Sequence, residues 1–323
     1  MQIRIEQLVE RKPWIIWMGL LFLCGGCSLR EMAINQVGDI LAETGATFTS
    51  DEDPELVANA LPFGLKFMES VLAEQPEHIG LLLATSEGFT QYAYAFVYLE
   101  AVKMRSADYY RARELELRSK KLFLRARDYG MRGLEAKFPG FGPSFKADPR
   151  AAVRQVDTGG VGLLYWTAAS WASAVNVDMT DAFLLADLPK IDVLVDRVLE
   201  LDENFENGAI HSLLISYEMV RLAKEGNPED RAYDHFKKAV ALSGGFDAAP
   251  YISYATSVCV PTERREEFIQ VLNTALGIDP KGIPELTLSN VLMQEYGQWL
   301  LDHVDDYFLP PLDPLSKNEK FNP

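Results

Sequence analysis

VLNTALGIDP, residues 271–280, decides the fold, because related stretches recur along the chain. They are FMESVLAEQP at 67–76, VDRVLELDEN at 195–204 and HFKKAVALS at 235–243. In each, apolar residues spaced three and four apart run into a polar or proline-containing end, and a second apolar run follows. Phe205 and Phe246 are 41 residues apart, and Gly245 and Pro280 are 35 apart. Steps of this size predict helical hairpins of tetratricopeptide-like size.

The fold class follows from this repetition. β-strand signals are sparse, so we predict an all-α chain in which tetratricopeptide-like helical-hairpin repeats stack into a compact solenoid. The alternative is an irregular α-helical domain whose helix ends merely resemble one another. Residues 138–160 are rich in proline and glycine and are predicted to form an irregular loop. Such a loop suits a lid, a rim or a partner contact, or is an ordinary surface excursion.

Composition excludes several classes of function. The chain has 323 residues, a net charge of −16 and 48% hydrophobic residues, which is typical of a globular protein. The acidic balance argues against nucleic-acid binding, which needs a basic surface. Three cysteines and four histidines are too few for a zinc-finger type of site. Because no nucleotide-binding or hydrolase motif occurs either, we predict no metal, no cofactor and no enzymatic activity.

The first 26 residues read as a signal peptide. A basic stretch precedes the apolar run WIIWMGLLFLC at 14–24, which is too short to span a bilayer as a helix. Gly-Gly-Cys at 25–27 then resembles a bacterial lipobox, so Cys27 is predicted to carry lipid and to begin a mature domain of residues 27–323. An uncleaved N-terminal anchor is the alternative.

Residues 110–137 form four heptads, in which residues of one type recur every seven positions. Each set of residues at one heptad position is called a column here. Ten basic and five acidic residues fall within 105–137, although the chain as a whole is acidic. A column of small residues predicts close helix packing, and an arginine column lies between two apolar columns. The arginines are Arg111, Arg118, Arg125 and Arg132. Three roles stay open for them: structural ion pairs, a subunit or partner interface, and ligand binding. We predict that Arg118→Leu or Arg125→Leu destabilises the fold or its assembly by several kcal/mol, with ~3 kcal/mol typical when a buried pair loses one member.

Aromatic residues supply the candidate ligand surfaces. Tyr165, Trp166 and Trp171 alternate with alanines, a composition that suits either an apolar channel or close helix packing. Tyr92 and Phe96 are i,i+4 neighbours on another predicted helix and form a second candidate.

His211 and Glu218 are seven residues apart and share a predicted helix face. A histidine and a carboxylate are capable of acid–base chemistry. However, the sequence places no nucleophile or second acid beside them. We therefore interpret them as a hydrogen-bonded pair between helices, in reach of the arginine column.

Several motifs together resemble one family. They are YAYAFV at 92–97, RARDYGMRGL at 125–134, YWTAASWA at 165–172, GAIHSLLISYE at 208–218, PYISYA at 250–255 and DDYFL at 305–309. In order and number they resemble the TatT family, the tetratricopeptide-like lipoproteins associated with TRAP transporters. The resemblance covers nearly the whole mature chain.

This resemblance implies a periplasmic accessory component of a TRAP transporter. Such a protein would form a homotrimer, dock the extracytoplasmic substrate-binding protein and channel a small apolar or organic-acid ligand. It would be held at a membrane by its N-terminal lipid. The outer membrane is favoured, because Ser28, and not an aspartate, follows Cys27. The alternative is a general cell-envelope scaffold lipoprotein that binds peptides or assembly partners in a concave groove.

Overall fold

The computed structural model describes residues 34–43, 45–221 and 224–309. Over these ranges the chain is all-α, with short 3-10 and π-helical turns and no strand, as the sequence predicts. The first half contains α1 (34–43), α2 (Gly45–Thr49), α3 (Pro54–Glu74), α4 (Ile79–Ala93), α5 (Leu99–Met104), α6 (Tyr109–Lys137), α7 (Phe141–Ala147) and α8 (Pro149–Val153).

The second half contains α9 (Val161–Val177), α10 (Ala182–Ala186), α11 (Leu188–Leu201), α12 (Phe205–Tyr217), α13 (Pro228–Leu242), α14 (Ala249–Tyr254), α15 (Arg265–Leu276), α16 (Thr287–Asp302) and α17 (Val304–Tyr307). The π-helical turns are Tyr94–Tyr98 and Ala255–Cys259, and the 3-10 turns are Thr158–Gly160 and Pro284–Leu286. Each of the four related sequence stretches lies at the end of a helix, namely α3, α11, α13 and α15. The sequence therefore locates these helix ends correctly.

Local sequence explains where the helices begin. The Asp53 carboxylate accepts a hydrogen bond from the backbone N–H of Leu56 at 3.0 Å, and Pro54 occupies the first position of α3. Asp108 caps α6 in the same way through the N–H of Arg111. Aspartate satisfies one of the free N–H groups of the first turn, and proline lacks the N–H that would be unpaired there.

The long helix α6 packs against both α4 and α9. Ser86 on α4 donates a hydrogen bond to the carbonyl of Ala126 on α6, at 2.9 Å. On α9, Thr167 lies so close to Gly130 that an added Cβ would be 2.1 Å from its Oγ1. The small residues of α6 therefore allow three helices to approach closely, as predicted.

The sequence-based expectation of an irregular loop at 138–160 needs correction. This segment contains α7, α8 and a 3-10 turn, and it packs against α6 and α11. Phe145 of α7 is buried, and Asp148 caps α8 through the N–H of Ala151. The Glu135 carboxylate accepts hydrogen bonds from the N–H groups of Gly140 and Gly142, at 2.8 and 2.6 Å. In this segment, glycine and proline lie at the starts of short helices and in the connections between them.

A C-terminal helix packs against helices near the N-terminus. Helix α16 packs against α15 and also contacts α2 and α3. Leu288 of α16 packs on the core cluster of α3 and α4, and Lys281 forms an ion pair with Glu52. Among the described helices, α3 alone is long and apolar enough for a membrane span. Six of its side chains are buried, and it packs against α4 within the folded body.

Candidate functional site

The aromatic pair Tyr165–Trp166 lies at the centre of the molecule. Both residues are on α9, a helix that is buried almost all round because α4, α6, α11 and α12 pack against it. Their ring centroids are 5.0 Å apart and nearly perpendicular, an edge-to-face arrangement that aromatic pairs prefer. Phe205, at the start of α12, lies 5.5 Å from Tyr165. The pair thus forms a rigid aromatic wall.

Three carboxyl groups face this wall. They belong to Glu87 on α4, Glu206 on α12 and Asp247 before α14, and all three charges act on the Tyr165 hydroxyl. Protein atoms surround Glu206 on most sides, yet it keeps exposed surface, and Glu87 and Asp247 are half-buried. The three carboxyls therefore border the aromatic wall and keep contact with solvent. We name Glu87, Tyr165, Trp166, Glu206 and Asp247 the interior acidic site.

Enclosure changes the acidity of these carboxyls, because burial disfavours a charged form. Burial raises the pKa of Glu87 to about 7, although a hydrogen bond from Gln91 opposes the rise. Burial and the nearby Glu87 charge raise the pKa of Glu206 to about 8, while Trp166 opposes that rise. Burial also raises the pKa of Asp247. Burial thus favours the protonated form of all three carboxyls.

The backbone holds Glu206 in an unfavourable conformation. Its φ is 46°, and Asn207 follows at 57° and Gly208 at 84°. Left-handed backbone is normal for glycine but uncommon for glutamate. An added Cβ on Gly208 would lie 2.7 Å from Leu242, so glycine is required there for space as well. Strain of this kind concentrates at functional positions, which singles out Glu206.

A group of tyrosines extends the polar interior. Tyr94 and Tyr98 lie in the π-helical turn after α4, with ring centroids 6.0 Å apart. Both contact the two largest core clusters. Burial is the main cause that raises the pKa of Tyr296 on α16, and the nearby Tyr94 is the next. Because π-helical turns often occur at functional sites, this turn is a second marker of the interior.

The predicted aromatic candidates separate in space. Tyr165 and Trp166 lie in the interior acidic site. Trp171 lies elsewhere on α9, with its ring 4.9 Å from the guanidinium of Arg127 and 5.8 Å from the ammonium of Lys190. The buried Trp171 indole Nε1 has no hydrogen-bond partner among the described residues. The structure therefore brings two of these three residues together.

Tyr92 and Phe96 do not reach the interior acidic site. They pack on the core cluster of α3 and α4, with ring centroids 5.9 Å apart. Arg118 Nη2 donates a hydrogen bond to the Tyr92 hydroxyl at 3.2 Å, and Arg132 Nη2 donates to the carbonyl of Pro76 at 3.1 Å. Two members of the arginine column thus hold α6 to α4 and to the end of α3.

The arginine column lies at the surface, and its members are Arg111, Arg118, Arg125 and Arg132. Arg111 pairs with Glu114 on its own helix at 2.9 Å. Arg125 pairs with Glu69 on α3 and lies 4.9 Å from the ring of Phe89. Its side chain is 42% exposed, whereas that of Glu69 is 8% exposed. The sequence suggested that ion pairs of this column are buried. The structure corrects this, because all four arginine side chains are exposed at the surface beside the core.

His211 is fully buried and contacts a histidine that the sequence does not single out. Its Nδ1 lies 2.8 Å from Nδ1 of His235 on α13, and its Nε2 lies 3.5 Å from a carboxylate oxygen of Glu203. Burial first, and the His211 charge second, lower the pKa of His235 to about 4. Burial also lowers the pKa of His211. Both rings are neutral at pH 7, so one Nδ1–H donates to the other Nδ1.

Glu218 belongs to a buried ion network. Its carboxylate lies 2.9 Å from Arg221 and 2.6 Å from Arg231, and Arg221 also pairs with Asp192 and Asp196 of α11 at 2.7 Å. The Arg221 side chain is 2% exposed. Glu218 thus joins α11, α12 and α13 through Arg221 and Arg231, whereas His211 joins α12 to α13 through His235. The predicted link between the two residues, and to the arginine column of α6, is therefore corrected: each has its own partners.

The two cysteines of the predicted mature chain differ. Cys27 lies outside the described residues, so its lipidation stays a prediction. Cys259 is fully buried and free, and burial raises the pKa of its thiol to about 12. It is a small residue of the hydrophobic core.

Comparison with known proteins supplies the family. The sequence matches the TRAP transporter T-component family over residues 50–308, which is most of the chain. The chain belongs to this family. An uncharacterized protein of Treponema pallidum (strain Nichols) is 29% identical over 308 residues, covering 89% of this chain and 94% of that protein. The resemblance drawn from the motifs is therefore confirmed.

T-components belong to a transporter of the cell envelope, and the family is not one of enzymes. All five residues of the interior acidic site fall within the matched range. Among the described residues, no group of three or more His, Cys, Asp and Glu side chains is placed to hold a metal ion.

Sequence reasoning missed the three carboxyls of the site. Glu87 carried a usable signal, because it is an acid within the apolar helix α4. Glu206 and Asp247 carried none, since Glu206 lies in the polar start of α12 and Asp247 lies in the polar segment before α14. Only the packing of α4, α9, α12 and α14 brings them together.

Proposed function

We propose that this T-component docks the extracytoplasmic substrate-binding protein of a TRAP transporter and gives its ligand a protected route. The interior acidic site carries the proposal. It combines an aromatic wall with three carboxyls that keep contact with solvent, one of which, Glu206, has left-handed backbone angles. Ligand sites typically join apolar surface to a few converging polar groups with shifted pKa values.

The membrane anchor, the cellular location and the oligomeric state are also part of the proposal. The basic start, the apolar run and the Gly-Gly-Cys ending at Cys27 favour a lipid anchor and a periplasmic location. Ser28 favours the outer membrane. We further propose that the hairpins form a tetratricopeptide-like stack and that three copies assemble, as the family resemblance implies.

An exposed aromatic pair supports an assembly role. Phe63 and Phe67 on α3 are 76% and 43% exposed and stack with ring centroids 6.3 Å apart. Exposed aromatic clusters are typical of protein contact surfaces. We assign this pair to the contact with the substrate-binding protein.

Co-purification tests the proposal. The tagged full-length lipoprotein, extracted in mild detergent, is expected to retain the substrate-binding protein of its own TRAP system and to sediment as a trimer. Changing Phe63 and Phe67 to serine should weaken retention, whereas the exposed control Phe183→Ser on α10 should not. A monomer that never retains the binding protein would refute the proposal. Binding of envelope peptides in its place would favour the scaffold alternative.

A further inference from the structure

The segment between α6 and α9 carries basic residues to which no role has been assigned. Residues 137–155 contain four basic residues and one acid, Asp148, although the chain as a whole has a net charge of −16. Lys146 lies on α7, Arg150 on α8 and Arg154 directly after α8, and all three are exposed. We name Lys146, Arg150 and Arg154 the basic corner.

The protein itself does not neutralise the basic corner. Among the described residues, no carboxylate forms an ion pair with any of its three cations. The Asp148 carboxylate accepts a hydrogen bond from the N–H of Ala151 at 3.1 Å, and the Glu135 carboxylate accepts those of Gly140 and Gly142. Exposed cations without a nearby counterion attract an anionic surface.

The basic corner is part of the packed body and not of a loose loop. Phe141 and Phe145 of α7 are buried, with their rings stacked at a centroid distance of 5.3 Å. Ala152 and Val153 of α8 are buried as well. The three cations are therefore presented on a fixed surface, which keeps them together in front of one partner.

This surface and the N-terminal helix lie at the same end of α6. Helix α6 ends at Lys137, and α7 packs against it. At this end Arg132 Nη2 donates to the carbonyl of Pro76, in the connection between α3 and α4, at 3.1 Å. Helix α1 packs on the same connection, because a Cβ added to Gly38 would lie 2.7 Å from the His78 ring. The basic corner is therefore close to the start of the described chain.

The proposed lipid anchor adds the second argument. Cys27 and residue 34, where α1 begins, are seven residues apart. At ~3.3–3.6 Å per residue, this length of chain spans at most about 25 Å. A lipid on Cys27 would thus keep this end of α6 near the membrane surface. That position favours a membrane over an acidic protein as the partner of the basic corner.

We propose that the basic corner contacts the anionic headgroups of the membrane that holds the lipid anchor. The inference rests on the lipid anchor of the proposed function and adds the orientation of the molecule. A lipid chain alone leaves the protein free to turn on its tether. Three cations that meet anionic headgroups beside the tether restrict this rotation, because each is attracted to the negative surface.

Lipid quenching tests the proposal on the full-length lipoprotein in vesicles, after mass spectrometry has verified the lipid on Cys27. A thiol dye is attached at Ser144→Cys on α7 or at the control Ser106→Cys, an exposed position beyond the opposite end of α6. Cys259 is fully buried and does not compete for the dye.

Headgroup spin-labelled lipid should quench the dye at residue 144 at least about twofold more than the dye at residue 106, in vesicles that contain phosphatidylglycerol. In vesicles of phosphatidylcholine alone the difference should disappear. Raising the salt from ~0.1 M to ~1 M shortens the Debye length from about 10 Å to about 3 Å and should reduce the difference by at least about half.

Charge reversal locates the contact. The combined variant Lys146→Glu, Arg150→Glu and Arg154→Glu should abolish the stronger quenching at residue 144. The matched control reverses three other exposed cations, all on α6, and should keep it; these are Arg111→Glu, Arg118→Glu and Lys121→Glu. Circular dichroism verifies that each variant folds.

The outcomes separate this inference from the proposed function. Equal quenching of the two dyes, or quenching that survives reversal of the basic corner, would overturn the membrane contact alone. Shielding of the dye at residue 144 only after the substrate-binding protein is added would also overturn it, and would assign the corner to that protein. Absence of lipid on Cys27 would refute the proposed anchor and the inference together. Retention of the binding protein is measured separately.

Discussion

Two regions of this T-component use arginine in opposite ways. On α6, four arginines in a heptad column lie exposed over the edge of the core. Beyond α12, Arg221 is buried, and it pairs with Glu218, Asp192 and Asp196. The column is conspicuous in the sequence, whereas Arg221 is an isolated basic residue there.

The difference shows that burial, and not the regularity of a charge pattern, decides how much an ion pair matters. Exposed pairs are screened by water and contribute about 0–1 kcal/mol. Breaking a buried pair leaves an uncompensated charge in the core and costs about 3–5 kcal/mol. Four experiments follow, from the largest expected effect to the smallest.

Replacing Arg221 with methionine should have the largest effect. It leaves the carboxylates of Glu218, Asp192 and Asp196 without their shared cation, so the free energy of unfolding should fall by about 3–5 kcal/mol. Urea unfolding followed by circular dichroism measures this. Arg111→Met, which removes an exposed arginine, is the matched control. Equal losses in the two variants would abolish the contrast between the regions.

Gly130→Ala tests the buried side of α6. The new methyl group would lie 2.1 Å from Thr167 Oγ1, so the helices must separate, with an expected loss of about 1–3 kcal/mol. Gly64→Ala on α3 is the control, because nothing lies within 4 Å of its added Cβ. It should stabilise by about 0.5–1 kcal/mol. If Gly130→Ala proves neutral, the stability of α6 does not depend on its small residues.

Acid should destabilise the fold through the buried His211–His235 pair. The folded protein holds the pKa of His235 at about 4, so the unfolded chain takes up a proton at higher pH than the folded chain does. Stability from this residue is therefore full above pH ~6.5 and is lost as the pH falls toward 4, at up to ~1.4 kcal/mol per unit. His235→Gln should reduce this loss in urea unfolding at pH 7, 6 and 5. An unchanged pH dependence would contradict the buried neutral pair.

The arginine column should give the smallest effect. Arg118→Leu and Arg125→Leu should each cost about 1 kcal/mol or less, because both arginines are exposed. Arg118 makes a hydrogen bond to Tyr92, and the largely buried Glu69 keeps its pair with Lys66 when Arg125 is lost. Thermal unfolding and sedimentation measure fold and assembly together. A loss near 3 kcal/mol, or dissociation of the assembly, would show that a partner copy buries the column.

The sequence predicted much of the fold but only part of the site. Periodicity gave the all-α class and the ends of four helices, and the small residues of α6 gave its close packing. Tyr165 and Trp166, which are adjacent in sequence, are also in ring contact in the structure, whereas Trp171 lies on another side of α9 beside Arg127. The ligand-lining role of these residues stays a prediction. The interior carboxyls stayed hidden because they come from distant segments.

What the sequence alone determined is local: helix periodicity, capping residues, the small-residue column and the family motifs all act within one or two turns of chain. Only the tertiary structure decided which charges are exposed and which are enclosed. That decision depends on the desolvation of each group by residues far away in sequence, as when Glu87, Glu206 and Asp247 meet beside Tyr165. A residue's chemistry here follows from its surroundings, and the chain specifies those surroundings only once it has folded.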